Sequence, residues 1–452
     1  MSFWRRVPAA LALGVLAGGL SSLAVARAAG PSNDYFWDNP PVQWGLLQVG
    51  APAAWGASTG AGVNVGIVDS GVDASHEDLA GKVVDGANCV GSNGNEGLCT
   101  SGGTTDVVGH GTHVAGIIAA LTGNGIGVAS MAPDAHLISA QAVDSGGSGS
   151  DADVGAAIRW VVDHGAGVVN LSLGAEATSR VAFGPGFSSA VEYAWSHGAV
   201  PVVAAGNSAQ TPNFGSLHIL VVTATTPNGD VASYSNHVDR ATWAVAAPGG
   251  AADGNPYHDI VSTYPNNSYA TIAGTSMATA HVSGEVALLL AKGYSASGAV
   301  QRVLATAVPC TGCGSGRIDA AAALGVGSAP APSAPPGLGG GAGPPGAATV
   351  VGPPPRSVPA SRAAPRAAAP RPTAAPTTVT TEPPSPAPTT TSEPGPVEAA
   401  LGGPWPGQVR IDDTGGNGGA GSNRAAAIGF AVVGLAGAAG ALGVRLVRLR
   451  GT

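Results

Sequence analysis

Val63-Asn64-Val65-Gly66-Ile67-Val68-Asp69-Ser70-Gly71 is a short β-branched run that ends in an aspartate and a glycine turn. Similar runs recur at Val168 to Leu173, Val200 to Ala205, Ile219 to Thr225 and Trp243 to Ala246. Helix-like segments lie between and beyond them. One opens at His110 and runs through Leu121, one is capped by Asp151 and runs through Asp163 to Gly165, and an apolar one opens at Ser276 and runs to Ala291. Nearly continuous apolar strands alternating with helices predict an α/β fold: a doubly wound, mostly parallel sheet with helices on both faces. In such a sheet the side chains at strand ends and helix starts gather along one edge.

Three strings place chemistry on that edge. The strand above carries the carboxylate of Asp69, Gly109-His110-Gly111-Thr112-His113-Val114-Ala115-Gly116 carries an imidazole, and Gly274-Thr275-Ser276-Met277-Ala278-Thr279-Ala280-His281-Val282 carries a hydroxyl at the start of a helix. Serine is a poor nucleophile at neutral pH. It needs a base to take its proton and a carboxylate to orient and charge-stabilise that base. Asp69, His110 and Ser276 fit these roles, and a helix N-terminus at Ser276 would favour an oxyanion. Singly, a strand-end aspartate and a helix-cap serine are ordinary; all three strings together are not. His113 competes with His110, but its place in the string reads as structural. A lipase-type hydrolase would want a Gly-x-Ser-x-Gly elbow with a later histidine, which Gly274 to Ala278 does not supply.

These strings make the chain resemble the subtilisin-like serine peptidases, most closely the thermitase-type members, over roughly residues 32 to 325. Asn33-Asp34, Ala54-Trp55, Ser172-Leu173-Gly174, Val203-Ala204-Ala205-Gly206-Asn207 and Gly316-Arg317-Ile318-Asp319 extend the match. The resemblance implies peptide-bond hydrolysis by Asp69, His110 and Ser276, with the Asn207 side chain donating to the oxyanion. It implies that Ser172, Leu173 and Gly174 form an edge strand on which an extended substrate pairs, and that Ala205 and Gly206 line the substrate site. No buried charge is offered there, so an apolar residue is expected just before the cleaved bond. It further implies a structural Ca²⁺ held by Asp34, Asp78 and Asn124 with main-chain oxygens of Leu121, Ile126 and Val128. Three departures stand out: Ala280 where proline is usual, a shortened Thr211 to His218 segment without the Tyr-Pro turn that shapes the first specificity pocket, and Glu285 in a usually apolar helix. Between Ala28 and Trp55 there is no room for an inhibitory prodomain, only for an N-terminal arm.

The ends and composition set the context. Residues 1 to 28 read as a signal peptide, with Arg5 and Arg6 before an apolar run and small residues at Ala24, Ala26 and Ala28. The peptidase-like domain spans 31–327. Residues 328–424 hold 22 of the chain's 36 prolines and cannot bury a core, so a disordered Pro/Ala/Thr-rich linker is expected. Residues 425–444 carry no charge and are long enough for a transmembrane helix. Arg445, Arg448 and Arg450 follow, which puts the 445–452 tail in the cytoplasm and the peptidase domain outside the cell membrane. The signal peptide, linker and anchor together resemble the layout of the mycosins. The partners expected are protein or peptide substrates and the lipid bilayer; an alternative is a peptidase-fold scaffold in a membrane secretion complex, with little turnover. A net charge of −8 and only two lysines, Lys82 and Lys292, argue against nucleic acid. Four cysteines in an exported chain suggest two disulfides, the local pairs Cys89 with Cys99 and Cys310 with Cys313 being the simplest of three connectivities.

Overall fold

The computed structural model describes residues 32–39, 42–173, 183–328, 348–351 and 410–412. The expected signal peptide, the anchor at 425–444, the tail and most of the linker lie outside the described residues. The strands, in chain order, are β1 Asn64–Asp69, β2 Val83–Asn88, β3 Thr100–Ser101, β4 His136–Gln141, β5 Ser148–Ser150, β6 Val168–Leu171, β7 Val200–Ala204, β8 Leu220–Thr225, β9 Trp243–Pro248, β10 Ile260–Tyr264, β11 Ser268–Ile272, β12 Thr349–Val351 and β13 Arg410–Asp412. The main sheet runs β3-β2-β4-β1-β6-β7-β8-β9. Every pairing in it is parallel except that of β2 with β3.

Alternation along each strand sends side chains to two cores. Val65 and Ile67 of β1, Val168 of β6, Val202 of β7 and Val222 of β8 pack with residues of the helices His110–Ala119 and Thr275–Ala291. Val68, Val169, Leu171, Val203 and Val221 pack on the other face with the helices Asp151–Asp163 and Pro185–Ser196. Helices therefore cover both faces, as the alternating pattern required. Each such aliphatic side chain contributes about 1.5–3 kcal/mol by leaving water. Gly66 marks where one helix comes closest, since a Cβ there would lie 2.8 Å from Val161.

Several boundaries differ from the sequence reading. Ser150, not Asp151, caps its helix by accepting from the Asp153 N–H. Asp151 instead accepts from the Gly186 and Phe187 N–H groups at the start of the next long helix. The His110 helix stops at Ala119. The run read as Val168 to Leu173 is strand only as far as Leu171; Ser172 and Leu173 follow it, beyond its last pairings with β1 and β7, and both are buried. The Pro-rich stretch also contains more structure than a plain spacer: Thr349–Val351 pairs antiparallel with β11, and Arg410–Asp412 pairs parallel with β5.

The N-terminal arm is part of the body. Phe36 N–H donates to Gly127 O at 2.9 Å, the Gln43 amide exchanges two 2.8 Å bonds with the Ala129 backbone, and Trp55 Nε1 donates to Met131 O. Cys89 bonds to Cys99, and Cys310 to Cys313. Among the described residues no helix is long and apolar enough to cross a membrane.

The helix Thr275–Ala291 is buried on every side from Thr275 to Leu289, which places Glu285 inside the protein. Neither of its carboxylate oxygens has a hydrogen-bond partner. Burial, with the charge of Asp319 adding to it, pushes its pKa up to about 8 from 4.5. The folded protein thus holds this proton to higher pH than the unfolded chain, and the group's contribution to stability falls as pH rises from about 4.5 toward 8. Glu285→Met should be more stable than the wild type at pH 7 by on the order of 3 kcal/mol, with the difference closing near pH 4. Thermal unfolding across that range checks it; equal melting temperatures at pH 8 would contradict it.

Candidate active site

Asp69 is the last residue of β1, and Gly71 turns the chain at φ +102° immediately after it. The helix carrying His110 begins against that turn. Gly111 permits the approach, because a Cβ there would lie 2.0 Å from Gly71 O. The result is a buried pair: His110 Nδ1 lies 2.8 Å from Asp69 Oδ1 and 3.0 Å from Oδ2, with both side chains fully buried. With the proton on Nδ1 facing the carboxylate, Nε2 is left with its lone pair, and no group among the described residues bonds to it. Burial by itself lowers the His110 pKa, but the charge and hydrogen bond of Asp69 and the charge of Asp106 outweigh it, so the net shift is upward from 6.5.

Ser276 stands at the start of the long central helix, behind Gly274. Its Oγ donates to Ser172 O at 3.0 Å, and Ser172 Oγ donates back to Ser276 O at 3.0 Å. Asn170 of β6 extends this link by donating to Ser172 Oγ and accepting from Ser283 Oγ. The helix start is thus fastened to the C-terminal end of β6, next to β1 in the sheet. Asn207 follows β7 on the same edge. Its Oδ1 accepts from both the N–H and the hydroxyl of Thr275 at 2.9 Å. That fixes the amide orientation and leaves the NH₂ as the outward donor beside Gly274. Gly206 N–H bonds to Thr275 Oγ1 and Ala205 N–H to Val222 O, so both backbones are held and both residues are buried. Gly174 lies outside the described residues.

Of the candidate metal positions, Asp34, Asp78 and Asn124 are linked by hydrogen bonds, Asn124 donating to both carboxylates. Asp34 accepts from the N–H groups of Gly123, Asn124 and Gly125 and from the Ser32 hydroxyl. Asp78 accepts from the Asn124 amide and the Val128 N–H, and its own carbonyl accepts from the Leu121 N–H. Asn124 Oδ1 takes the Ile126 N–H. Burial, with Asp34 adding like charge, pushes the Asp78 pKa up to about 8. Two neighbouring buried carboxylates are hard oxygen donors of the kind a divalent cation takes, and the contacts they make here are to N–H and O–H groups. Among the described residues, however, no three His, Cys, Asp or Glu side chains cluster as ligands.

A family model described as "Subtilase family" matches residues 60–323. The chain is a subtilase. Over 297 residues it is 38% identical to thermitase of Thermoactinomyces vulgaris, covering 64% of this chain and 97% of that protein. It is 36% identical over 293 residues to a thermophilic serine proteinase of a Bacillus species, covering 64% of this chain and 67% of the relative. Among solved structures, a protease from Pseudoalteromonas arctica aligns with a TM-score of 0.56 at 29% identity, covering 65% of this chain and 98% of that one. This subtilase is accordingly a serine-type endopeptidase.

In the subtilase, the structure brings Asp69 and His110 into contact and fastens Ser276 and Asn207 to the same sheet edge. His113 faces elsewhere: its Nε2 lies 3.1 and 3.0 Å from Ile260 O and Ala270 O, and burial lowers its pKa to about 3. It is the structural histidine the sequence suggested. Sequence reasoning missed Ser70 and Thr275, polar residues within the very strings that were read, and Asp106, three residues before the string of His110. Asn207→Ala removes the outward NH₂ and the acceptor for Thr275. The expected outcome is a turnover loss of about 10²–10³, the magnitude known for removal of the asparagine donor in subtilisin, with a stability loss of only about 1 kcal/mol. Steady-state kinetics on a chromogenic peptide alongside thermal unfolding test this; turnover within a few fold of the wild type would count against it.

Proposed function

We propose that this subtilase is an extracytoplasmic, membrane-tethered endopeptidase that cuts peptide bonds with Ser276 as nucleophile, His110 as base, Asp69 as its orienting carboxylate and Asn207 as oxyanion donor. The buried Asp69–His110 pair carries the reading, because a fully buried imidazole with an unbonded Nε2 at a sheet's C-terminal edge is a base without a structural bond to make there. To act as nucleophile, Ser276 Oγ must exchange its bond to Ser172 O for one to His110 Nε2. Attack of Oγ on the substrate carbonyl carbon passes that proton to Nε2, and Asp69 stabilises the imidazolium. The Asn207 NH₂ and the helix start meet the negative oxygen of the tetrahedral intermediate. Its collapse breaks the peptide C–N bond, and the leaving amine takes the proton from His110. Water then repeats the sequence on the acyl-enzyme and frees Ser276.

The apolar surroundings of Ala205 and Gly206 favour an apolar residue before the cleaved bond. Export and anchoring rest on the apolar segments near each end and the arginines after residue 444. A fluorophosphonate probe that does not cross membranes should label intact cells, and the label should sediment with membranes but not after deletion of 425–452. In the purified ectodomain, labelling should be absent from Ser276→Ala. Its rate should fall with acid, with a midpoint above 6.5, because only neutral His110 can accept the proton and its pKa is raised. Folded wild-type protein that takes no label would sink the peptidase reading in favour of a scaffold.

Calcium is the cofactor we propose. Asp34, Asp78 and Asn124 would supply side-chain oxygens and Leu121, Ile126 and Val128 main-chain ones, tying the arm to the body. When bound, the ion supplies charge neutralisation and no step of the chemistry. Without a cation, Asp78's raised pKa makes its contribution to stability fall as pH rises from 3.8 toward about 8. Added Ca²⁺ should raise the melting temperature more at pH 8 than at pH 5, and a chelator should reverse it. A melting temperature indifferent to both would remove calcium from this account.

A further inference from the structure

Asp106 is buried, four residues before His110, and its carboxylate is the most heavily bonded polar group near the site. Oδ1 accepts from Ser70 Oγ at 3.0 Å, Val108 N–H at 3.0 Å and Gly109 N–H at 2.8 Å. Oδ2 accepts from Thr112 N–H at 2.9 Å and Thr112 Oγ1 at 2.7 Å. Gly109, the residue that caps the His110 helix, has no side chain with which to do so. Asp106 takes over that function from outside the helix and sets a negative charge against its positive end. The two hydroxyls are shared. Ser70 Oγ also accepts from Gly111 N–H at 3.0 Å, while Ser70 N–H donates to Asp69 Oδ1 at 2.7 Å. Thr112 Oγ1 also accepts from Asp73 N–H at 2.9 Å. Both ends of the turn after β1 are therefore tied through Asp106 to the first turn of the helix. Tyr264 OH pins the same loop to β10 through Val108 O.

We infer that Asp106 is a positioning residue for the active site: it clamps the start of the His110 helix onto the turn that carries Asp69, and so sets the Asp69–His110 bond. The inference rests on the peptidase reading and deepens it. Its charge has a second consequence. Of the groups around His110, His113 on the same helix and His281 on the central helix are held neutral by burial, at about 3 and about 4. Tyr264 of β10 is raised from 10.0 and also neutral. His76, before the 77–79 turn, is lowered by burial, and Asp78 in that turn is pushed up to about 8. Among the described residues, Asp69 and Asp106 are the groups whose negative charge acts on His110, and both favour its protonated form.

The test follows the His110 imidazole by NMR titration and the pH profile of kcat/KM in the wild type, Asp106→Asn and Ser70→Ala. Asp106→Asn removes the charge and one side of the clamp. Its His110 midpoint should move to lower pH, the acid limb should follow, and kcat on the alkaline plateau should fall at least several-fold with KM little changed. Ser70→Ala keeps the charge and loosens the clamp, so its plateau should fall while the midpoint stays. Should Asp106→Asn fail to fold, Thr112→Val, which removes the Oδ2 hydroxyl bond and keeps the charge, should behave as Ser70→Ala does. An Asp106→Asn protein with the wild-type midpoint and plateau overturns the inference; so does a Thr112→Val protein with an undiminished plateau. A wild type that never labels at Ser276 defeats the peptidase reading instead, and the NMR midpoint still judges Asp106.

Discussion

The hydrogen bond between Asp69 and His110 is the constraint around which the rest of the molecule is arranged. A carboxylate and an imidazole with no water around them are costly to bury unless each satisfies the other, and the bond distances of 2.8 and 3.0 Å show that they do. The pair comes from two elements, its residues 41 positions apart in the chain. A strand end must stop at the right depth, and a helix must start within van der Waals contact of its turn. Gly71 and Gly111 are what permit that contact, one by its left-handed backbone and the other by lacking a Cβ.

The parallel sheet explains why the remaining parts arrive at the same edge. β1, β6 and β7 point the same way, so Asp69, Ser172 and Asn207 all follow strand C-termini. The central helix then crosses beneath them and is fastened there twice, through Ser172 and Asn170 to β6 and through Thr275 to Asn207. Those bonds join residues more than 60 positions apart, which orders the nucleophile's surroundings only once the sheet is complete. Selectivity for the native register and the geometry of the site are in this sense the same property.

Much of this could be read from the chain because it was written in local pattern. The apolar runs of β1, β6, β7, β8 and β9 and the helices at His110, Asp151 and Ser276 announced themselves by periodicity and glycine punctuation. β4 did not, since His136 to Gln141 mixes polar residues into a strand buried between β2 and β1. The run read as Val168 to Leu173 ends as a strand at Leu171, because a sequence shows that a run is extended, not where its neighbours stop pairing with it. Asp106, Ser70 and Asn170 were invisible for a related reason. Their significance lies in bonds to partners far along the chain or across a turn, and nothing in an isolated aspartate, serine or asparagine says that its partners will be there.

The buried carboxylates divide by the donors that surround them, and this division separates site from scaffold. Asp69 has an imidazole and the Ser70 N–H, Asp106 has five N–H and O–H donors, and Asp34 has a row of three backbone N–H groups. Each is held in one orientation by neighbours that were themselves fixed by the fold, so each can orient something else in turn. Glu285 has no such shell and orients nothing. Burial without donors raises a carboxylate's pKa and makes it a cost to the folded state, whereas donors work against that rise and fix the group's direction, although burial still leaves Asp106 raised from 3.8. Only the second kind lies beside His110, which is why the chemistry of this subtilase depends less on how many acids are buried than on which of them the backbone was shaped to receive.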